Sequence, residues 1–517
     1  MKCSTIRLAL AAAGISVTAA TALADPPPRV DMRVIPSRSV SAPGGAKINS
    51  SPLTPRTRVR PDVPGGGAGS RPGGGGTWTD SVVQTQYPNP FAATVLTSSE
   101  GIGSDGVAPP DPNLAVGDTQ VIEIVNTEYS VYDKAGTQLT APVPIHTLFT
   151  GLGGMCETQD GGDPIVLFDQ MAHRWFISQL EYNSNFSSNL LCTAVSTSAD
   201  ATGGYTLYEW DFGSDLPDYP KIGVWRDAYY FSANIFWMGA LFLASDACAF
   251  DRNAMLNAQP AIGVCFSSSA PSLLPASVDG ATPPPAGEPG FYLRLNGSSG
   301  VTLYRFHVDF VNTGNSTFAG VTLPVAAIHQ ACGGGTCVPQ PGLTQQLDSL
   351  GDRLMFRLSY RNFGTYESLL VNHSVQIRSS SNQTGVRWYE IRNPHGAPTI
   401  AQQSTFAPDS SRYRWMGSIA QDKQGNMLLG YSVSSSTLFP SIGYSGRQAG
   451  EPLNQLESEF VSTFGTGSQT MNRWGDYTSV AIDPADDCTF WYVNEYLLTT
   501  GSSWHTRIES VKFPSCQ

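Results

Sequence analysis

The sequence predicts an all-β fold of the β-propeller type, and three observations predict it. First, Thr, Val, Tyr, Phe and Trp cluster in short runs bounded by Gly, Pro, Asn and Asp from Thr77 onward, and no amphipathic helix longer than about three turns can be drawn. Second, one unit recurs: a polar loop, a short strand, a turn and a second strand. It is clearest in Arg473-Trp474-Gly475-Asp476-Tyr477, which leads into Thr478 to Pro484 and then Cys488 to Tyr496. Third, the unit is periodic. Ile124-Val125-Asn126-Thr127-Glu128-Tyr129 is echoed 53 residues on by Ile177-Ser178-Gln179-Leu180-Glu181-Tyr182, and Phe231 to Phe236 follows after another 54. A period in the fifties suits a four-stranded blade.

Taken in order, the chain opens with a secretory signal over residues 1–24. Lys2 and Arg7 give the positive start, Leu8 to Ala20 the apolar stretch, and Ala22-Leu23-Ala24 the small-residue cleavage site. No other segment approaches a membrane span. A secreted or periplasmic protein is expected, and a monomer. Residues 25–76 are rich in Pro, Gly, Ser and Arg and end in Pro72-Gly73-Gly74-Gly75-Gly76, which predicts a disordered Pro/Gly-rich linker. Residues 77–517 form the propeller domain. Loops that lead into innermost strands are placed at Asp111, Asp163, Asp218, a stretch near Asp279 to Phe291, Asp348 to Arg353, Arg414 and Arg473. These give seven blades, with six or eight left open by the irregular stretch 237–345. Trp78 to Tyr87 is expected to supply the outer strand of the last blade, completing His505 to Phe513.

Without Cys3, eight cysteines remain: Cys156, Cys192, Cys248, Cys265, Cys332, Cys337, Cys488 and Cys516. An even number in an exported chain points to disulfides, and pairing by proximity gives 156–192, 248–265, 332–337 and 488–516. The net charge of −12 is unevenly spread, with the linker at +5 and the propeller region at −19. A body this acidic argues against nucleic acid.

In a propeller the residues before the innermost strands converge on one face. Asp111, Asp163, Asp218, Tyr219, Lys221, Arg353, Arg414, Trp415, Arg473, Trp474 and Asp476 are therefore expected in one funnel. Carboxylates beside arginines could divide acid and base roles, the arginines could hold a sugar carboxylate, and Trp415 and Trp474 could stack on a sugar ring. The alternative is that Asp and Arg at these repeated positions tie blades together. His373 and His307 are further candidate bases, with Glu367 a partner for His373. No H-x-x-x-H, H-E-x-x-H or G-x-S-x-G pattern occurs, and no metal site is assigned. Asp483, Asp486 and Asp487 around Pro484 make an acidic turn that could take Ca2+. Otherwise no cofactor is expected.

Pro109-Pro110-Asp111-Pro112-Asn113 with Ala115-Val116-Gly117, Asp218-Tyr219-Pro220-Lys221-Ile222-Gly223-Val224-Trp225, and Arg473-Trp474-Gly475-Asp476-Tyr477 resemble a group of secreted bacterial β-propeller-like proteins. The resemblance spans roughly residues 100–517 and implies the fold and export, but no particular activity. The Ser-x-Asp-x-Gly-x-Thr-Trp box of Asp-box sialidases is absent, and Asp422-Lys423-Gln424-Gly425-Asn426 is an ordinary turn signal. Three functions fit: a binder of extracellular polysaccharide in the funnel, a glycoside hydrolase or polysaccharide lyase at the same place, or a protein-interaction or adhesion scaffold.

Overall fold

The computed structural model describes residues 30–42 and 77–517, so residues 1–29 and 43–76, with the expected signal peptide and most of the expected linker, lie outside it. The chain is a β-propeller. Its four-stranded units begin with the innermost strands Asn113–Val116, Ile165–Asp169, Asp215–Val224, Leu274–Asp279, Met355–Asn362, Tyr413–Gln421 and Ser479–Ile482. Each innermost strand touches the next, and the last touches the first, so the sheets close into a ring. The four-stranded units are named first to seventh blade in chain order. The innermost strands are parallel neighbours where they pair directly, with Ala276 opposite Leu358 and Asp279 opposite Arg361. Their lead-in loops therefore share one face.

The strands form where the sequence alternates or is uniformly apolar. Arg174–Tyr182 and Asn189–Ser196 are buried on both faces, as strands sandwiched between blades must be. The core of the second to fifth blades is continuous and dominated by aromatics, including Trp210 stacked on Phe250 at 4.0 Å. All four disulfides are formed with the pairing that proximity suggests. Among the described residues the helices are short, the longest two being Ile145–Phe149 and Arg252–Leu256, five residues each.

Three expectations need correction. The seventh blade, Ser479–Ile482, Thr489–Leu497 and Trp504–Lys512, is completed by Thr94–Gly103 and not by residues 78–87. Thr94–Gly103 alternates between exposed and half-buried positions, as an outer strand should. Val83–Gln84 instead pairs in parallel with Thr405 and Phe406 on the fifth blade. The second correction concerns the fourth blade. Asp279 ends its innermost strand, and the lead-in is at Ser272 and Leu273.

The third correction concerns the linker. Val30–Ala42 is a 13-residue strand, not a disordered tether. Its first half pairs antiparallel with Ile262–Ser268, the outer strand of the third blade, and its second half with Tyr205–Gly213, the outer strand of the second. One strand therefore covers two open sheet edges. Ile35 is buried, Arg38 is paired with Glu209, and Arg33 with buried Asp246. Alternation over Val30 to Val40 is enough to form a strand once two edges offer it hydrogen bonds.

Candidate functional site at the propeller axis

Six residues at or near the starts of innermost strands have a left-handed backbone: Asp111 (φ 47°), Asp163 (48°), Tyr219 (56°), Ser272 (59°), Leu350 (45°) and Met416 (48°). Such a conformation costs energy for residues other than Gly and persists where the surroundings fix it. Around the first three, side chains catch backbone N–H groups across blade boundaries. Asp111 Oδ1 accepts the N–H of Asp476 at 2.6 Å, from the seventh blade to the first. Asn126 donates to Asp111 Oδ2 at 2.7 Å and accepts the N–H of Asp163 at 2.8 Å, from the first blade to the second. Asp163 Oδ2 accepts the N–H of Tyr219 at 3.2 Å, from the second to the third. The belt continues in kind: Asn234 accepts the N–H of Ser272 at 2.8 Å, and Ser374 that of Met416 at 3.3 Å.

Inside this belt lies Lys221, fully buried. Its Nζ donates to the Pro220 carbonyl at 2.9 Å and lies 3.5 Å from the Tyr219 ring centre and 4.0 Å from that of Tyr477, a double cation–π contact. Arg353 lies over the same Tyr219 ring at 4.6 Å and is held bidentate by Asp352. Arg473 pairs with Asp476 at 2.8 Å. Glu495 accepts the N–H of Gly475, just as Glu181 accepts that of Gly161.

Burial controls the protonation of this cluster. It pushes the Asp111 carboxyl up to about 8, helped by the charges of Asp476 and Asp163. Burial also raises Glu495 well above the ordinary carboxylate range. It lowers Lys221 to about 8, against the pull of Asp163, Asp476 and Asp111. Asp476, above all, raises Arg473. At neutral pH the cluster therefore holds a proton on Asp111 and a charge on Lys221.

The structure thus brings together Asp111, Asp163, Tyr219, Lys221, Arg353, Arg473 and Asp476, with half-exposed Asp218 beside them. Three candidates are elsewhere. Arg414 is buried between the fifth and sixth blades, bound to Glu459 at 2.5 Å and to Asp409. Trp415 and Trp474 pack on each other, centroids 5.8 Å apart, and neither is more than 1% exposed, so no ring face is open to a sugar. The left-handed Met416 and the register shift between Trp415 and Ser418 turn this segment into the inter-blade core. Here Trp474 Nε1 donates to Ser432 at 2.9 Å.

The long excursion between the fourth and fifth blades, pinned by Cys332–Cys337, docks over this region. Gln340 and Gln469 exchange two hydrogen bonds, and Ser434 and Ser468 donate to Pro339 and Pro341. Farther along the axis the innermost strands leave a cavity of about 30 Å³, lined by residues such as Leu114, Leu167 and Phe356, with room for about one water.

The other candidates are structural. His373 is fully buried, bonded through Nε2 to the Tyr389 hydroxyl, and held by burial near 3, so it stays neutral. Glu367 bonds Tyr360 and not His373. His307 is exposed at a strand end. The acidic turn is taken by cations: Asp483 by Lys134, Asp486 by Lys512 and Asp487 by Arg361. Its carboxylates therefore diverge, and among the described residues no group of three or more His, Cys, Asp or Glu is arranged to hold a metal. Also among the described residues, no helix is long and apolar enough to cross a membrane.

Asn126, Asn234, Glu181 and Glu495 were not singled out from the sequence. The signal is present in the periodic strings Val-Asn-Thr-Glu-Tyr, Gln-Leu-Glu-Tyr, Ser-Ala-Asn-Ile-Phe and Val-Asn-Glu-Tyr. Their polar positions recur because each catches a lead-in loop.

Fold and axial cluster together define a β-propeller whose blades are cross-tied by buried polar side chains. No protein-family model matches the chain, and no curated protein matches it. Among solved structures it is similar to an α-L-arabinanase of Penicillium chrysogenum complexed with arabinobiose. The TM-score is 0.31 at 9% identity, over 86% of this chain and all of that one. The WD40 domain of SCAP from fission yeast gives 0.31 at 9% identity, over 77% and 82%. A xylan β-1,4-xylosidase of Bacillus halodurans C-125 gives 0.27 at 8% identity, over 83% and 99%. At such scores the fold assignment rests on the chain's own sheets.

Proposed function

We propose that the chain is an exported, monomeric propeller of the secreted bacterial group it resembles, and that it binds an extracellular polysaccharide without cleaving it. The face on which the lead-in loops meet is the binding face. The observation that carries this reading is the division of the axial cluster into a sealed part and a rim. Asp111, Lys221 and Arg353 are no more than 1% exposed and Asp476 is buried beside them, while Arg473 and Asp218 keep partial exposure around them. A rigid rim suits recognition. Hydrolysis needs an acid and a base in contact with substrate and water, and within the axial cluster the carboxylates that burial raises, Asp111 and Glu495, are both buried. Arg473 is offset by Asp476, so a neutral polymer fits this rim better than a uronate.

One observation favours a second reading. Asp111, which holds a proton at neutral pH, lies beside Asp476 in the manner of an acid–base pair. If the sealed part opens, the same residues make a glycoside hydrolase.

The test is retention on insoluble polysaccharides together with a reducing-end assay. Arg473→Ala and Asp218→Asn should weaken retention at least severalfold, Asp218→Asn with the melting temperature unchanged, and no reducing ends should appear. Release of reducing ends that Asp111→Asn abolishes would establish the hydrolase instead. Unchanged retention in both rim variants would remove the rim as the site.

A further inference from the structure

A groove of about 610 Å³ lies at the outer edge of the fifth blade, away from the axis. Its walls are the strand Thr399–Phe406, the stretch 82–88 that crosses this edge, and the loop at 454–455. The volume is in the range of ligand sites. None of the lining residues is charged, in a chain that is otherwise strongly acidic.

The floor is fixed by reciprocal amide contacts. Gln84 donates to the Leu456 carbonyl at 2.6 Å and accepts its N–H at 2.8 Å. Gln402 accepts the N–H of Asn454 at 3.0 Å and donates to buried Glu390 at 2.6 Å. Asn454 Oδ1 accepts the N–H of Gln403 at 2.9 Å, and Gln403 Oε1 accepts that of Ala326 at 2.9 Å. Backbone donors thus identify the oxygen of both amides. Asn454 is itself left-handed, with φ 63°. Among the described residues, the NH2 groups of Gln403 and Asn454 carry no hydrogen bond, and both residues line the groove. Gln86 and Gln455 add two exposed amides.

Tyr87 is 43% exposed on the same wall. It is steadied by Phe406, with ring centroids 6.2 Å apart, so an aromatic surface remains available to a ligand. Fixed amide donors and acceptors beside a partly open tyrosine, with no charge, match a ligand that has many hydroxyls, an apolar ring face and no charge.

We propose that this groove binds a segment of neutral oligosaccharide, with Tyr87 against a sugar ring and the amides of Gln403, Asn454, Gln86 and Gln455 bonding its hydroxyls. The site is independent of the axial rim.

The experiment screens the whole mature protein on an array of neutral oligosaccharides that includes cello-, xylo- and laminarihexaose. The best hit is then titrated by calorimetry, beside polygalacturonate as a charged control. At least one neutral oligosaccharide should bind in preference to polygalacturonate. Tyr87→Ala should weaken it at least tenfold and Gln455→Ala severalfold, with melting unchanged because both side chains are exposed. Arg473→Ala should leave this affinity as it was. Absence of any neutral hit, preference for polygalacturonate, or unaltered affinity in Tyr87→Ala would overturn the proposal. Binding lost in Arg473→Ala but kept in Tyr87→Ala would overturn the groove and leave the rim standing. The expected pattern, loss in Tyr87→Ala with affinity kept in Arg473→Ala, assigns this oligosaccharide to the groove and leaves the rim to the polymer-retention test.

Discussion

Asp111 accepts the backbone N–H of Asp476 at 2.6 Å, and this bond joins the first blade to the last. The same carboxyl accepts Asn126, which in turn holds Asp163. Closure of the ring therefore does not rest on the outer strand Thr94–Gly103 alone. It is repeated at the axis by a side chain that burial keeps protonated near neutral pH.

That protonation gives a pH signature. The Asp111 carboxyl rises from 3.8 to about 8 on folding. A raised folded pKa means stability present below about pH 4 that is lost as pH rises toward 8, by at most about 1.4 kcal/mol per pH unit. Lys221 falls from 10.5 to about 8. Its contribution is full above the unfolded value and is lost as pH drops toward 8. The two together put the weakest point of the cluster near pH 8. Urea unfolding from pH 4.5 to 10 should show a minimum there. The fall between pH 5 and 8 should be shallower in Asp111→Asn, and an identical slope in that variant would rule the assignment out.

Arg414 should behave as a structural residue. Its guanidinium is fully buried between Glu459, 3% exposed, and Asp409. Removing one partner of a buried pair costs about 3–5 kcal/mol, because the remaining charge stays buried alone. Arg414→Ala should lose about that much stability in denaturant unfolding while keeping whatever ligand affinity the native protein has. Lost affinity at full stability would return Arg414 to the binding residues.

These outcomes track what could be read from residues alone. Asp111, Asp163 and Lys221 were legible because each stands where a polar loop meets a strand, and that boundary is local. Trp415 and Trp474 were misplaced because a left-handed Met416 and a register shift decide which way the chain faces, and neither leaves a mark in composition. Asn126 and Glu495 stood in the periodic strings but looked like strand residues, since their partners are loops 37 and 20 residues away in sequence. The groove was invisible for a related reason. Residues 82–88, 400–404 and 454–455 are far apart in sequence and line one groove only in the folded chain.

The strand Val30–Ala42 yields the prediction most opposed to its composition. Pro, Gly and Ser around it dilute the alternation from Val30 to Val40, so the segment reads as a tether. In the fold it caps two outer strands, and Ile35 is 7% exposed. Full burial of an isoleucine is worth about 1.5–3 kcal/mol, and uncovered edges invite association with other chains. Ile35→Asp should lower stability by roughly 2–3 kcal/mol. Deleting residues 25–42 should also produce concentration-dependent oligomers in light scattering. A deletion variant that melts like the full chain and stays monomeric at high concentration would show the strand to be dispensable.

The cysteines supply the last prediction. Cys488–Cys516 ties the end of the chain to the start of the strand Thr489–Leu497, and both cysteines are buried. Phe513, three residues before Cys516, packs against Phe490 and Phe91 in the seventh-blade core. The bridge therefore secures the last turn of chain in the blade that closes the ring. Replacing both cysteines with serine removes a cross-link over 28 residues. Loop-closure entropy puts its worth at roughly 3–4 kcal/mol. Unfolding of that double variant should begin in the seventh blade, with early loss of protection in hydrogen exchange over Thr94–Gly103 and Trp504–Lys512. Thiol labelling of the denatured, unreduced mature protein should find no free cysteine. Labelling at Cys488 or Cys516 would remove the bridge, and with it the reason for the seventh blade to open first.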